Sequence, residues 1–168
     1  RHSHPIDTIH FDIKFKNYER LAIERQKALR GNLISDDSKV FVPATLHVDN
    51  QSEQKVEIRL KGDMIDHLDT QKWSLRVKVK KGGLVYGNSR FSVQHPKTRS
   101  NYWETIATEH FRSEGVLAAR IIPVRVNVNG KDLGIMLYED HFSKQFMESQ
   151  QRKESVIISF DETLWWKD

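Results

Sequence analysis

Between positions 56 and 81 the chain reads VEIRLKGDMIDHLDTQKWSLRVKVKK, and its cations are spaced so that they can share one surface. Trp73, Leu75, Val77 and Val79 alternate with Ser74, Arg76, Lys78 and Lys80, the period-two pattern of a half-buried strand. One parity faces a core. The other carries Arg76, Lys78 and Lys80, with Lys72 and Lys81 at the ends and no acid among them. Upstream, Val56, Ile58 and Leu60 take one parity and Glu57, Arg59 and Lys61 the other, until Gly62 stops the pattern. Joined by the polar connection 63–72, the two strands can pair antiparallel and set Arg59 and Lys61 beside Arg76 and Lys78. Like charges opposite one another in a sheet are destabilising, so this face calls for nearby carboxylates or an anionic ligand. The alternative is a solvated basic face.

The flanking elements must hold that surface in place. Residues 6–15 alternate as a strand, Asn17 offers an N-cap, and Tyr18, Leu21, Ala22, Ala28 and Leu29 follow at helical spacing to Gly31. Arg25 interrupts that apolar face, and Arg20, Arg25, Lys27 and Arg30 form a solvated one. Residues 40–48 are extended, with Pro43 suggesting a sheet edge, and pair back on 56–61 as a hairpin. Gly87-Asn88 is a turn. Residues 102–114 form a helix with Trp103, Ile106, Ala107, His110 and Phe111 on one face, flanked by Glu104 and Glu109. Residues 122–128 and 133–138 are strands joined by Asn129-Gly130, the strongest hairpin signal in the chain. Glu139-Asp140-His141 ends the second of them, Ser143 starts a short helix, and residues 156–160 read as a last buried strand.

Composition bounds the reading. The chain has 168 residues, 38% hydrophobic and 30% charged, with a formal charge of +4 and no cysteine. That suits one folded domain without disulfides or thiol chemistry. The charge is too small, and the motifs absent, for a nucleic-acid partner. No apolar run is long enough for a membrane helix. Asp63, Asp66, His67 and Asp69 could be imagined as metal ligands but lack the positions of a calcium loop, and His2, His4 and His10 are weaker still, so no metal is expected. The first residue is Arg1 rather than Met and the last residues are ETLWWKD, from which a longer natural protein is expected.

The order of elements (strand pair, basic strand, helix, hairpin, acidic strand end, short helix) is that of the N-terminal lobe of a protein kinase followed by its hinge. In such lobes a strand lysine holds the nucleotide phosphates and a helix glutamate holds the lysine. The chain has neither GxGxxG nor VAIK. It resembles the spore coat protein H (CotH) family of atypical protein kinases across nearly its whole length. The carrying residues are Arg59-Leu-Lys61-Gly62, Lys72-Trp-Ser74-Leu-Arg76-Val-Lys78, Tyr86-Gly87 with Arg90-Phe91, Arg99, Phe111-Arg112 with Gly115, Ala119-Arg120, Asn129-Gly130 with Gly134, and Glu139.

The resemblance implies an α+β fold in which an antiparallel sheet carries one main packed helix, 102–114, as in a kinase N-terminal lobe. Residues 1–138 would form that lobe (6–31 strand and helix, 40–138 sheet and helix), and 139–168 the hinge and the beginning of a second lobe. It implies ATP as cofactor and a secreted, spore-coat or surface protein as substrate, hence an extracytoplasmic or surface location. Lys72, Arg76 and Lys78 would lie near phosphate with Arg59 and Lys61 alongside, Glu104 or Glu109 would be their helix partner, and Glu139 would end the hinge strand. On that mapping Trp73, Leu75, Val77 and Val79 pack against the 102–114 helix, and Arg76 or Lys78 pairs with Glu104 or Glu109. Ser159 departs from the family, which favours a lysine there. The family's catalytic and metal-binding aspartates fall beyond position 168, so magnesium or manganese is expected only with that part, and residues 1–168 alone are expected to be inactive. The rival reading is a non-catalytic structural or binding module whose basic sheet face meets an acidic protein or polysaccharide.

Overall fold

The computed structural model describes residues 6–31, 40–49, 51–62, 65–68, 70–153, 156 and 158. Seven strands, β1 (Thr8–Asp12), β2 (Val42–Val48), β3 (Gln54–Leu60), β4 (Leu75–Val79), β5 (Arg90–Gln94), β6 (Ile121–Val128) and β7 (Lys131–Asp140), close into a barrel ordered β1-β2-β3-β4-β5-β7-β6. Neighbours pair antiparallel except at the closing seam. There β1 runs parallel to β6, with Ile9 opposite Val126 and Phe11 opposite Val128.

This corrects the expectation of an open antiparallel sheet of the kinase N-lobe kind. The alternation within β1 identifies a strand but not its second partner, and the β1–β6 pairing joins segments more than a hundred residues apart. Closure leaves no free sheet edge. Even so, Pro43 keeps the character of an edge residue, because β1 pairs only with Thr45 to Val48 of β2. Pro43 lies in the overhang, where its missing N–H costs no ladder bond and its carbonyl accepts from Asn17 Nδ2 at 2.8 Å.

The alternating apolar parities meet inside the barrel. Ile9, Phe11, Ile58, Leu60, Val77, Phe91, Val93, Val126, Met136 and Tyr138 are buried in one cluster, together with Leu75 and Val79. The helix that joins this core is α1 (Phe15–Gly31), through Leu21 and Ala28. It begins two residues before Asn17, whose side chain is spent on Pro43 instead of capping. Arg25 neither interrupts the packed face nor points to solvent. Its guanidinium lies 5.3 Å over the Trp73 ring and donates to the carbonyls of Leu68 and Thr70.

The 102–114 segment does form a helix, α2 (Trp103–Ser113), but none of its residues is buried and Trp103 is 72% exposed. It is therefore not the main packed helix, and Leu75, Val77 and Val79 face the barrel interior instead of α2. Trp73 stacks on Tyr18 of α1. A short helix, α3 (Lys144–Ser149), is capped by Ser143, whose hydroxyl accepts from the Phe146 amide. Val156 and Ile158 are exposed and outside any strand, contrary to the strand expected at 156–160; the other residues of that span, Ser159 included, lie outside the described residues.

Gly62, directly after the cationic end of β3, has φ 112°, and a Cβ there would sit 2.2 Å from the His67 ring. Gly62→Ala is expected to destabilise the fold by about 2–4 kcal/mol, from left-handed strain plus displacement of His67. Thermal unfolding checks this: a melting temperature unchanged by the substitution contradicts the close approach.

Candidate functional site

Residues directly opposite in paired strands share a face, so the register fixes what lies on the outside of the barrel. Across four pairings Arg59, Arg76, Ser92, Glu139 and Ile121 form one row. Lys61 and Gln94, each two residues beyond a member of that row, share its face and stand next to it. Of the expected cations, Lys61 is the one most enclosed, at 8% exposure. Its ammonium donates to Gln94 Oε1 at 2.6 Å and to Glu139 Oε2 at 2.5 Å, and Gln94 Nε2 donates to the same Glu139 oxygen at 2.6 Å. Gln94 is fully buried. Taking an ammonium and a carboxylate out of water costs several kcal/mol per ion, which this closed triangle of charge-assisted bonds offsets.

Beside the triangle, Arg76 Nη1 lies 3.1 Å from His141 Nδ1. Burial above all, then the positive charges of Arg76 and Arg90, pulls the His141 pKa down to about 4, with Glu139 acting in the opposite direction. His141 is thus a neutral imidazole near pH 7, and Nδ1 accepts the guanidinium N–H.

The remaining expected site residues are dispersed. Lys72 donates to the Ile135 carbonyl at 3.0 Å. Arg59 donates to the Leu60 carbonyl and lies over the Phe41 ring. Lys78 is half-buried, opposite Glu57 on one side and Arg90 on the other, but Glu57 pairs with Lys80 at 2.7 Å. Glu104 is half-buried in the first turn of α2. Glu109 pairs with Arg112 in its own helix at 3.0 Å, not with Arg76 or Lys78. The carboxylate that holds the enclosed lysine comes from strand β7: it is Glu139, expected among the nucleotide-binding residues at the end of the hinge strand.

Gln94, Ser92 and His141 were missed. Their signal was faint: Ser92 and Gln94 alternate with Phe91 and Val93, and a polar residue in such a strand reads as solvent-facing unless something covers it. Behind the sheet, Asp140 accepts from Asn88 Nδ2 at 2.8 Å and Arg120 Nη2 at 3.2 Å, while the Tyr86 hydroxyl donates to Asp7 at 2.8 Å. Burial, aided by Asp140, raises the pKa of Tyr138, and burial with the Asp7 contact raises that of Tyr86.

Of the imagined metal ligands, Asp63, Asp69, His2 and His4 lie outside the described residues, Asp66 is exposed, and His10 stacks on His47 at 4.4 Å. Among the described residues no three histidines or carboxylates are grouped to hold a metal ion. In comparison with known proteins, no family model and no curated sequence matches the chain.

Two outcomes follow from this geometry. Glu139→Ala takes the carboxylate from the enclosed Lys61 ammonium and is expected to cost about 3–5 kcal/mol, whereas the double change Lys61→Met, Glu139→Leu costs distinctly less; equal losses in denaturant unfolding would refute a coupled pair. An unfolded histidine binds its proton near pH 6.5 but folded His141 only near 4, so between these values the unfolded chain binds more protons. Stability is therefore expected to fall as pH drops from about 6.5 to about 4, and His141→Asn should flatten that slope in melts across the window.

Proposed function

We propose that the row of Lys61, Gln94, Glu139, Arg76 and His141 binds the phosphates of a nucleotide, and that the chain is the nucleotide-binding half of an ATP-dependent protein phosphotransferase of the CotH kind. The observation that carries this reading is the enclosed Lys61 held by Glu139 and Gln94. Phosphoryl transfer is catalysed almost entirely by positioning and electrostatic stabilisation, and a lysine fixed by a carboxylate is a recurrent device for it. Arg76, whose Nη1 lies 3.1 Å from the neutral His141 imidazole, adds positive charge beside Lys61. The likeness lies in these side chains and in the residues that resemble the family, not in an open kinase sheet; the carboxylate that holds the lysine is on a strand where the family analogy had suggested a helix.

Among the described residues no three histidines or carboxylates are grouped to hold magnesium or manganese. Transfer to a surface or spore-coat-type protein would need the aspartates expected beyond position 168. Residues 1–168 should therefore bind ATP weakly and transfer nothing.

Calorimetric titration of ATP, with and without magnesium or manganese, tests the reading. Saturable binding is expected, weakened about tenfold or more by Lys61→Met and also by Arg76→Gln, a loss on the scale of one hydrogen bond to a charged group. Binding indifferent to both changes would overturn it. The second reading, a module for acidic proteins or polysaccharides, draws on the more open cations Lys78 and Arg90, which stand side by side. It gains if polyglutamate binds, is displaced by salt and depends on Lys78 and Arg90 while ATP does not bind.

A further inference from the structure

At the barrel end formed by the close of β1 and β6 and the start of β4 and β7, α1 and residues 70–73 enclose a cavity of about 340 Å³. It is separate from the Lys61 triangle, sharing none of its residues. Its walls are apolar: Ile13, Leu21, Leu75, Val128 and Leu133, with the stacked rings of Tyr18 and Trp73. Its size is within the range of small-molecule sites, which combine such walls with a few polar groups that fix orientation.

The polar groups here have one sign. Among the described residues, Arg25 and Lys131 are the only ionic ones in the lining, and both are cations. Arg25 is engaged with two carbonyls and the Trp73 ring, none of them anionic. Lys131, exposed at the rim, donates to the neutral Gln71 Oε1 at 2.6 Å, and no carboxylate pairs with it among the described residues. The hairpin turn that carries this rim is clamped by Asn129, whose Oδ1 accepts from the Ile13 amide at 2.6 Å and whose Nδ2 donates to the Ile13 carbonyl at 3.0 Å. An apolar chamber with a fixed mouth and two uncompensated positive charges suits a ligand with an apolar body and one anionic head.

We propose that this cavity binds a small amphipathic anion, a medium-chain or aromatic carboxylate, with its apolar body between Leu21, Leu133 and the Tyr18–Trp73 wall and its carboxylate at Lys131. Binding displaces Gln71 from the ammonium and makes a charge-assisted hydrogen bond in its place.

The test titrates the chain with sodium decanoate and, separately, with 1-decanol, following tryptophan fluorescence with Trp73→Phe as the reference. Decanoate should bind saturably and change emission only where Trp73 is present. Lys131→Gln, at an exposed position that does not threaten folding, should weaken decanoate about tenfold while leaving decanol within about twofold, as expected for loss of one bond to a charged group. Leu133→Trp, which fills the chamber, should abolish both. Ile106→Asp, on the exposed apolar face of α2, should change neither. The proposal is overturned by no binding at millimolar decanoate, by equal effects of Lys131→Gln on acid and alcohol, or by binding lost with Ile106→Asp.

Discussion

The pairing of β1 between β2 and β6 is the constraint on which the rest of the molecule depends. Without it, β2 and β6 would each present a row of unpaired backbone groups, and the interior clustered around Ile9 and Phe11 would open to water. β1 is only five residues long, yet both its flanks are committed and both its inward side chains are fully buried. α1 follows immediately and covers the end of the barrel, so the strand that closes the wall also delivers the helix that shuts one mouth. The remaining surface chemistry is then arranged on the outside of a cylinder, where each strand contributes every second residue.

That arrangement explains why the basic face is tolerated. Arg59 stands directly opposite Arg76, an unfavourable pairing of like charges. Arg59 donates to the Leu60 carbonyl and lies over the Phe41 ring, while Arg76 Nη1 lies beside an imidazole that burial keeps uncharged, so the two guanidiniums have different neighbours. Lys61, more enclosed than either, takes the carboxylate. The most enclosed of these cations, which loses most hydration, is thus held by a full negative charge.

How much of this could be read beforehand depended on sequence distance. The hairpins β2–β3 and β6–β7, the β3–β4 pairing with Arg59 beside Arg76, and the helix at 103–113 were all legible, because each rests on a local period and a nearby turn. Closure was not, since β1 carries no mark that names β6. Nor was the carboxylate that Lys61 meets. Glu139 arrives through a strand order, β5 beside β7, that skips β6. The role of Arg25 was hidden for a related reason: a cation in an apolar stripe looks like a defect until the Trp73 ring that it covers is in place.

The tripeptide Glu139-Asp140-His141 shows how a single backbone parity divides the work. Glu139 faces outward to Lys61, Asp140 turns the other way to Asn88 and Arg120, and His141 returns to Arg76. That parity is not set by the Asn129-Gly130 turn alone. From the turn, Val128 pairs with Lys131 and Asn127 with Asp132, but Val126 then pairs with Gly134, so Leu133 is an extra residue in β7. Gly134 has φ 74°, and its amide donates to Asp132 Oδ1 at 2.7 Å. Had the ladder continued without this bulge, each later residue of β7 would have been exchanged with its neighbour in facing, with Glu139 directed into the apolar interior and Asp140 to the surface. The outward carboxylate that Lys61 requires is therefore a product of one inserted residue close to the hairpin, some distance along the strand from the charge that it aims.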